Sequence, residues 1–510
     1  MLKYIQKSNS LKLRIISNFI GSIGVSLLYI LSTPFYIQFA GAESYGLISF
    51  YMSLMVTFMV LDLGISSTIS KELSVLSINH DSNKNKVDIA NLVRTFELIY
   101  CGVGLFIGLG LYTFSNHISL YWLKSSQISQ EHIAYIVKIM SVTFVFRWAS
   151  VFYQGGLIGI EKQPILNLVL IISEILKAGI SMTFLFLGKD ISFFFYTQLV
   201  LSIVVVFLLR YYLLHHLRIK SADGKYSGLI IKKLYRFALG VSGISLVSTI
   251  ISQSDKMIIS KMFSLEIFAY YSLASTLSLS LLKIVIPISQ AVYPRFIKFI
   301  KSDDKASLNR LFHTSSQSIA FLITPIAIIC VFFSEDILFL WTHNSVLAST
   351  TSIILSILVL GTLANGFIYI QYQYQLAIGW TSLAFYINLI SGIFLIPTML
   401  ILIKNYGILG ATITWTMQNT IGLIVSSCLF FRQHLKSEKI KWLKFGIVVP
   451  VVVSVAVNVS GKFLILQHFD NNIFFKYIVM SGILLINYGT LSVILPDVKL
   501  LFVNYLKKYG

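Results

Sequence analysis

Residues 210–236 read RYYLLHHLRIKSADGKYSGLIIKKLYR and divide two strongly apolar regions of the chain. The stretch carries seven cations (Arg210, Arg218, Lys220, Lys225, Lys232, Lys233, Arg236) and one acid, Asp223. Such a block is a nucleic-acid patch, a solvated linker or an aqueous loop between membrane spans. Its flanks choose among the three.

Of 510 residues, 56% are hydrophobic and 12% charged, against roughly 25% charged in a soluble domain. Apolar runs are long and continuous, whereas a membrane β-barrel alternates polarity in segments of about 10 residues. The composition predicts an all-α polytopic membrane protein. Fourteen stretches are long enough to span: 14–38, 45–69, 92–114, 133–158, 165–187, 191–214, 234–260, 267–293, 312–333, 346–377, 382–403, 407–431, 442–465 and 473–495. The first is too long for a cleavable signal peptide.

The positive-inside rule tests this map. With the N-terminus cytoplasmic, 29 of the 40 Lys and Arg fall in inner segments and only 6 in outer ones. Both termini are then cytoplasmic. The net charge of +20 is explained by loops facing the cytoplasm, without nucleic acid. Cys101, Cys330 and Cys428 lie in apolar spans without metal-ligand spacing and read as buried thiols.

GAESYGLISFYMS (41–53) returns 223 positions later as SLEIFAYYSLAST (264–276), with Glu43 on Glu266 and Ser49 on Ser272. GLIGIEKQPILNL (156–168) has a weaker echo in QLAIGWTSLAFYINL (375–389). The duplication predicts two pseudo-symmetric, parallel six-helix lobes plus two C-terminal helices. Domains follow: an N-terminal lobe 1–215, a cytoplasmic loop 216–231, a C-terminal lobe 232–437, and the last two spans with the tail, 438–510. The loop needs length and solubility, so scrambling 219–228 is expected to be tolerated.

Ionisable groups within spans usually face protein or an aqueous cavity. Glu174 and Lys177, three apart, can pair on one helix face, as can Arg94 and Glu97. Lys138 lies near the end of its span and can snorkel. Asp255 and Lys256 point about 100° apart, so one reaches elsewhere. Asp62 caps a helix or meets an inner-loop cation. Arg147, in SVTFVFRWASVFYQGG, and Lys283, in LSLSLLKIVIPISQ, have no acid within a turn, and each wants an anion. In IYIQYQYQLAIGW (368–380), Gln371, Gln373 and Gln375 alternate with tyrosines; this suits sugar hydroxyls or an interfacial belt. No catalytic constellation, nucleotide-binding loop or metal cluster appears in the sequence, so an ATP-driven pump on this chain is not supported.

The turn AGAESYGLISF, then LDLGISSTISKEL, QGGLIGIEKQPILN, SQSDKMIIS and LEIFAYYSLA, in this order and across the whole chain, resemble the polysaccharide transporters of the multidrug/oligosaccharidyl-lipid/polysaccharide flippase superfamily, specifically bacterial O-antigen flippases. The resemblance implies two lobes around a central cavity in the bacterial inner membrane. It implies translocation of undecaprenyl-diphosphate-linked repeat units to the periplasmic leaflet by alternating access. Arg147, Lys283, Lys256 and Lys177 are the positions that supply a cationic lumen for the diphosphate. Asp62, Glu174 and Asp255 are the candidates for coupling to a proton or sodium gradient, with no bound cofactor. An O-antigen polymerase and a chain-length regulator are the implied assembly partners. Two rivals remain open: a drug/cation antiporter of the same superfamily, and the polymerase itself, which carries a large periplasmic loop that this chain lacks.

Overall fold

The computed structural model describes residues 24–25, 27–62, 64–76, 83–219, 224–228, 230, 232, 249–468 and 473–501. The described elements are helices, as expected where lipid offers no partner to backbone N–H and C=O groups. Contacts cluster into two compact units, Met1–Ala269 and Tyr270–Gly510.

In chain order, the first unit holds α1 (Leu27–Ala40), α2 (Ala42–Met59), α3 (Ile65–Leu76), α4 (Asn83–Thr113), α5 (Ser115–Tyr121), α6 (Gln130–Gly159), α7 (Gln163–Phe186), α8 (Ser192–Leu217) and α9 (249–262). Helix α10 (Leu265–Ser280) straddles the division. The second unit continues with α11 (Leu282–Lys301), α12 (Lys305–Phe332), α13 (Ser334–Thr342), α14 (Ser345–Ala377), α15 (Thr381–Tyr406), α16 (Ile408–Gln433), α17 (Lys439–Leu443), α18 (Val449–His468) and α19 (Ile473–Ile494). Among the described residues, 12 helical segments are long and apolar enough to cross a membrane. They correspond to 12 of the 14 expected spans. The other two expectations, 14–38 and 234–260, lie partly outside the described residues; α1 and α9 are their described ends.

The duplication is visible in the helices themselves. From α10–α11 through α16, each element starts 215 to 223 residues after its counterpart among α2–α3 through α8, including the short α5 and α13. Packing repeats too. In the first unit α6 packs on α3, α4, α5 and α8, and α7 packs on α8. In the second, α14 packs on α11, α12, α13 and α16, and α15 packs on α16. Helices α18 and α19 have no counterpart and pack on α12 and on each other. Polar contacts assist there: the Gln317 amide donates to Asp497 Oδ2 at 2.5 Å and accepts from the Asp497 backbone at 3.0 Å.

The expected span 45–69 is broken. Helix α2 ends at Met59, a single 3₁₀ turn follows (Val60–Asp62), and Gly64 adopts φ +69°, which favours glycine. Asp62 then accepts from the Ser66 amide at 3.3 Å and the Ser66 hydroxyl at 2.7 Å, and from the Tyr100 hydroxyl. The break lets α3 lie against α6. There Gly155 and Gly159 meet the backbone of Ser66 and Ser70 so closely that an added Cβ would sit 2.6 Å and 2.5 Å from their carbonyl oxygens. Small residues allow this approach where lipid removes the hydrophobic drive between helices.

The first repeat motif is explained by its loop. The Glu43 carboxylate accepts from the Ser126 amide at 2.9 Å, the Gln127 amide at 3.0 Å and the Ser126 hydroxyl at 2.7 Å, and from the Ser125 hydroxyl. A Cβ on Gly46 would lie 2.1 Å from the Leu265 carbonyl oxygen, so the start of the second motif packs on the first.

Three expectations change. Glu97 pairs not with Arg94 but with Arg210 of α8, at 3.0 Å, and accepts from the Tyr153 hydroxyl at 2.9 Å; tertiary contact outcompeted the local pair. Cys330 is buried, but Cys101 and Cys428 are exposed on their helices, an apolar span having a lipid face as well as a packed one. The connector is anchored rather than free. The Lys225 amide donates to Asn91 at 2.6 Å and the Ser227 amide to Thr95 at 3.0 Å, while Gly224 packs on the Ala90 carbonyl. Lys220, Asp223, Lys233 and Arg236 lie outside the described residues.

Gly159→Leu is expected to destabilise the protein by about 1–3 kcal/mol through overpacking, read as a lower melting midpoint in detergent. Gly179→Leu, where an added Cβ meets nothing within 4 Å, is the control and leaves the midpoint unchanged. Gly224→Val, whose Cβ would lie 2.1 Å from the Ala90 carbonyl oxygen, is expected to detach the connector. Faster protease cleavage at Lys225 checks this.

Candidate functional site

Helix α6 presents Arg147, Ser150 and Gln154 at i, i+3 and i+7, one face of a helix. Helix α7 presents Leu170, Ser173, Glu174 and Lys177 with the same spacing. The two stripes line one cavity of about 100 Å³, completed by Met59, Val151, Ser202 and Val205. That is room for several waters.

Within it the charges are placed by partners. Lys177 Nζ lies 2.7 Å from Glu174 Oε1, and Lys177 is buried. Arg147 donates from Nη1 to the Tyr51 hydroxyl at 3.2 Å, its guanidinium carbon 5.9 Å from the Tyr51 ring centroid. Tyr51 is fully buried in α2. The Ser150 hydroxyl donates to the Arg147 carbonyl at 2.6 Å, and the Gln154 amide to Ser150 at 3.2 Å. Ser202, 3% exposed, has a hydroxyl with no hydrogen-bond partner among the described residues. Two cations face one acid, so the cavity carries one formal positive charge. A guanidinium, an ammonium and the unpartnered Ser202 hydroxyl in a low-dielectric cavity suit a phosphate-like oxyanion.

Of the residues singled out by sequence, the structure brings together Arg147, Glu174 and Lys177. Asp62 is engaged by Ser66 and Tyr100 at the α2–α3 break. Asp255 is buried and Lys256 half-buried on α9. Lys283 is exposed on α11 in the other unit. Gln371 is buried and exchanges hydrogen bonds with Ser427, at 3.0 and 3.1 Å. Tyr374 is packed among Phe296, Phe312 and Phe430, so these two members of the 368–380 series serve packing. Sequence reading missed Ser150 and Gln154, whose spacing from Arg147 was a usable signal. It missed Tyr51 and Ser202, which only packing reveals.

Glu174→Gln leaves the Lys177 ammonium without its anion. It is expected to cost about 1–3 kcal/mol, seen as a lower melting midpoint. Adding Lys177→Met, which removes the orphaned charge, is expected to recover most of the loss.

The family described as "Polysaccharide biosynthesis protein" matches residues 12–300. A Shigella flexneri protein named "Putative O-antigen transporter" is 23% identical over 418 residues, covering 81% of this chain and 96% of its own length. Among solved structures, the lipid II flippase MurJ in an inward closed conformation superposes with a TM-score of 0.71 at 20% identity, over 94% of this chain and 98% of its own. An inward-facing multidrug resistance MATE transporter of the MOP superfamily superposes with a TM-score of 0.66 at 15% identity, over 82% and 99%. These likenesses establish that the chain shares the fold of these two transporters. With the matched family covering more than half of its length, this multi-pass membrane protein belongs to the polysaccharide biosynthesis protein family.

Proposed function

We propose that the chain is a flippase for undecaprenyl-diphosphate-linked O-antigen repeat units, or a closely related surface polysaccharide, in a bacterial inner membrane with both termini cytoplasmic. The cavity carrying Arg147, Lys177 and Glu174 is the observation that carries this reading. A diphosphate is the one part of such a substrate that needs cations within the membrane, since the sugars need hydroxyl partners and the prenyl tail needs lipid. The name of the Shigella flexneri relative supports the substrate class. In this reading the diphosphate docks on Arg147, displacing the weak Tyr51 contact, and Glu174 keeps Lys177 ordered in the empty state. The lobes then alternate access to the two leaflets. A net positive cavity suits an anionic cargo and disfavours a drug cation.

Arg147→Ala is expected to abolish surface polysaccharide while the protein remains at normal level in the membrane, scored by lipopolysaccharide gels and immunoblot. Arg147→Lys, which keeps the charge but not the fork, is expected to retain a fraction. Normal surface polysaccharide with Arg147→Ala sinks the assignment.

A further inference from the structure

Helix α6 has a second distinctive face. Lys138 precedes Arg147 by nine residues, which at about 100° per residue sets it on the opposite side of the helix. On that side Val142, Val145 and Phe146 meet Leu105, Leu109 and Tyr112 of α4 around an apolar groove of about 270 Å³. Gly108 opens it: a Cβ there would lie 2.4 Å from Val145 Cγ2. Leu105, Leu109, Tyr112 and Val142 are exposed, so the groove faces the bilayer and not the polar cavity.

A cation stands at one end. Lys138 Nζ lies 5.7 Å from the centroid of the Tyr112 ring, which itself lines the groove. Among the described residues no carboxylate pairs with Lys138. Helix α4 ends one residue after Tyr112, at Thr113, and an aromatic ring at a helix end marks the headgroup level of a membrane. Apolar walls, a lipid-facing mouth and an unneutralised ammonium at headgroup depth form one complementary set. Hydrocarbon fits the walls, and an anion fits the end. A zwitterionic lipid brings its own cation to the ammonium and gains less.

We propose that the α4–α6 groove binds one acyl chain of an anionic phospholipid, with the headgroup phosphate on Lys138. The site is separate from the Arg147 cavity and does not depend on the identity of the transported molecule. The same helix lines both, so lipid in the groove buttresses the face of α6 opposite to Arg147.

The test uses the full chain in phosphatidylcholine nanodiscs, titrated with phosphatidylglycerol and read by native mass spectrometry. The wild type is expected to retain phosphatidylglycerol over phosphatidylcholine. Lys138→Ala is expected to weaken retention about fivefold, the effect of removing one cation beside an anionic lipid. Lys138→Arg keeps it. Val142→Trp, which fills the groove and leaves the cation, loses it, so a charge effect alone is distinguished from a built site. Equal retention of the two lipids by the wild type overturns the proposal, as does unchanged retention in a monodisperse Lys138→Ala. Displacement of phosphatidylglycerol by equimolar undecaprenyl diphosphate also overturns it, because the groove then belongs to the prenyl tail.

Discussion

Hydrocarbon offers no hydrogen bonds and no hydrophobic drive between apolar helices, and this constraint shapes every level of the molecule. The backbone closes its own hydrogen bonds, so the described elements are helices. Helices then associate through close approach and polar contact. Gly155 and Gly159 of α6 take the carbonyls of Ser66 and Ser70 into space that any side chain would occupy. Asp62 closes the α2–α3 break with Ser66 and Tyr100, and Glu97 ties α4 to α8 and α6 through Arg210 and Tyr153. In each case the polar group is answered within the protein because lipid cannot answer it.

The same constraint gives the Arg147 cavity its meaning. Lys177 has its anion in Glu174, whereas among the described residues the Arg147 guanidinium hydrogen-bonds to a phenol, Tyr51, at 3.2 Å. A guanidinium held by so weak a partner keeps most of its hydrogen-bonding capacity for something else. Helix α6 therefore carries a charged face inward and an apolar face toward the α4 groove. Its place among α3, α4, α5 and α8 couples both faces to the rest of the unit.

Gene duplication leaves its record in two forms of different strength. As sequence it survives in short motifs such as Glu43 and Glu266, which are blurred because any apolar residue can face lipid. As structure it survives from α10–α11 through α16, down to the short α5 and α13. Packing order resists drift because helix lengths and contacts must be kept together, whereas the identity of a lipid-facing Leu or Ile need not be.

Hydropathy and the placement of cations were enough to identify a polytopic helical membrane protein, to locate 12 of its spans and to suggest the repeat, because burial in lipid acts on each segment independently. The pair Glu174–Lys177 was legible for the same local reason, its members being three residues apart on one helix. Arg147 stood out by lacking such a neighbour. That Tyr51 holds it, that Ser202 lines the same cavity, that Glu97 turns to Arg210 and that Lys225 and Ser227 of the connector are pinned on Asn91 and Thr95 were decided by tertiary structure alone. These partners are up to 134 residues apart in the chain. No periodicity links them; only the packing of helices does.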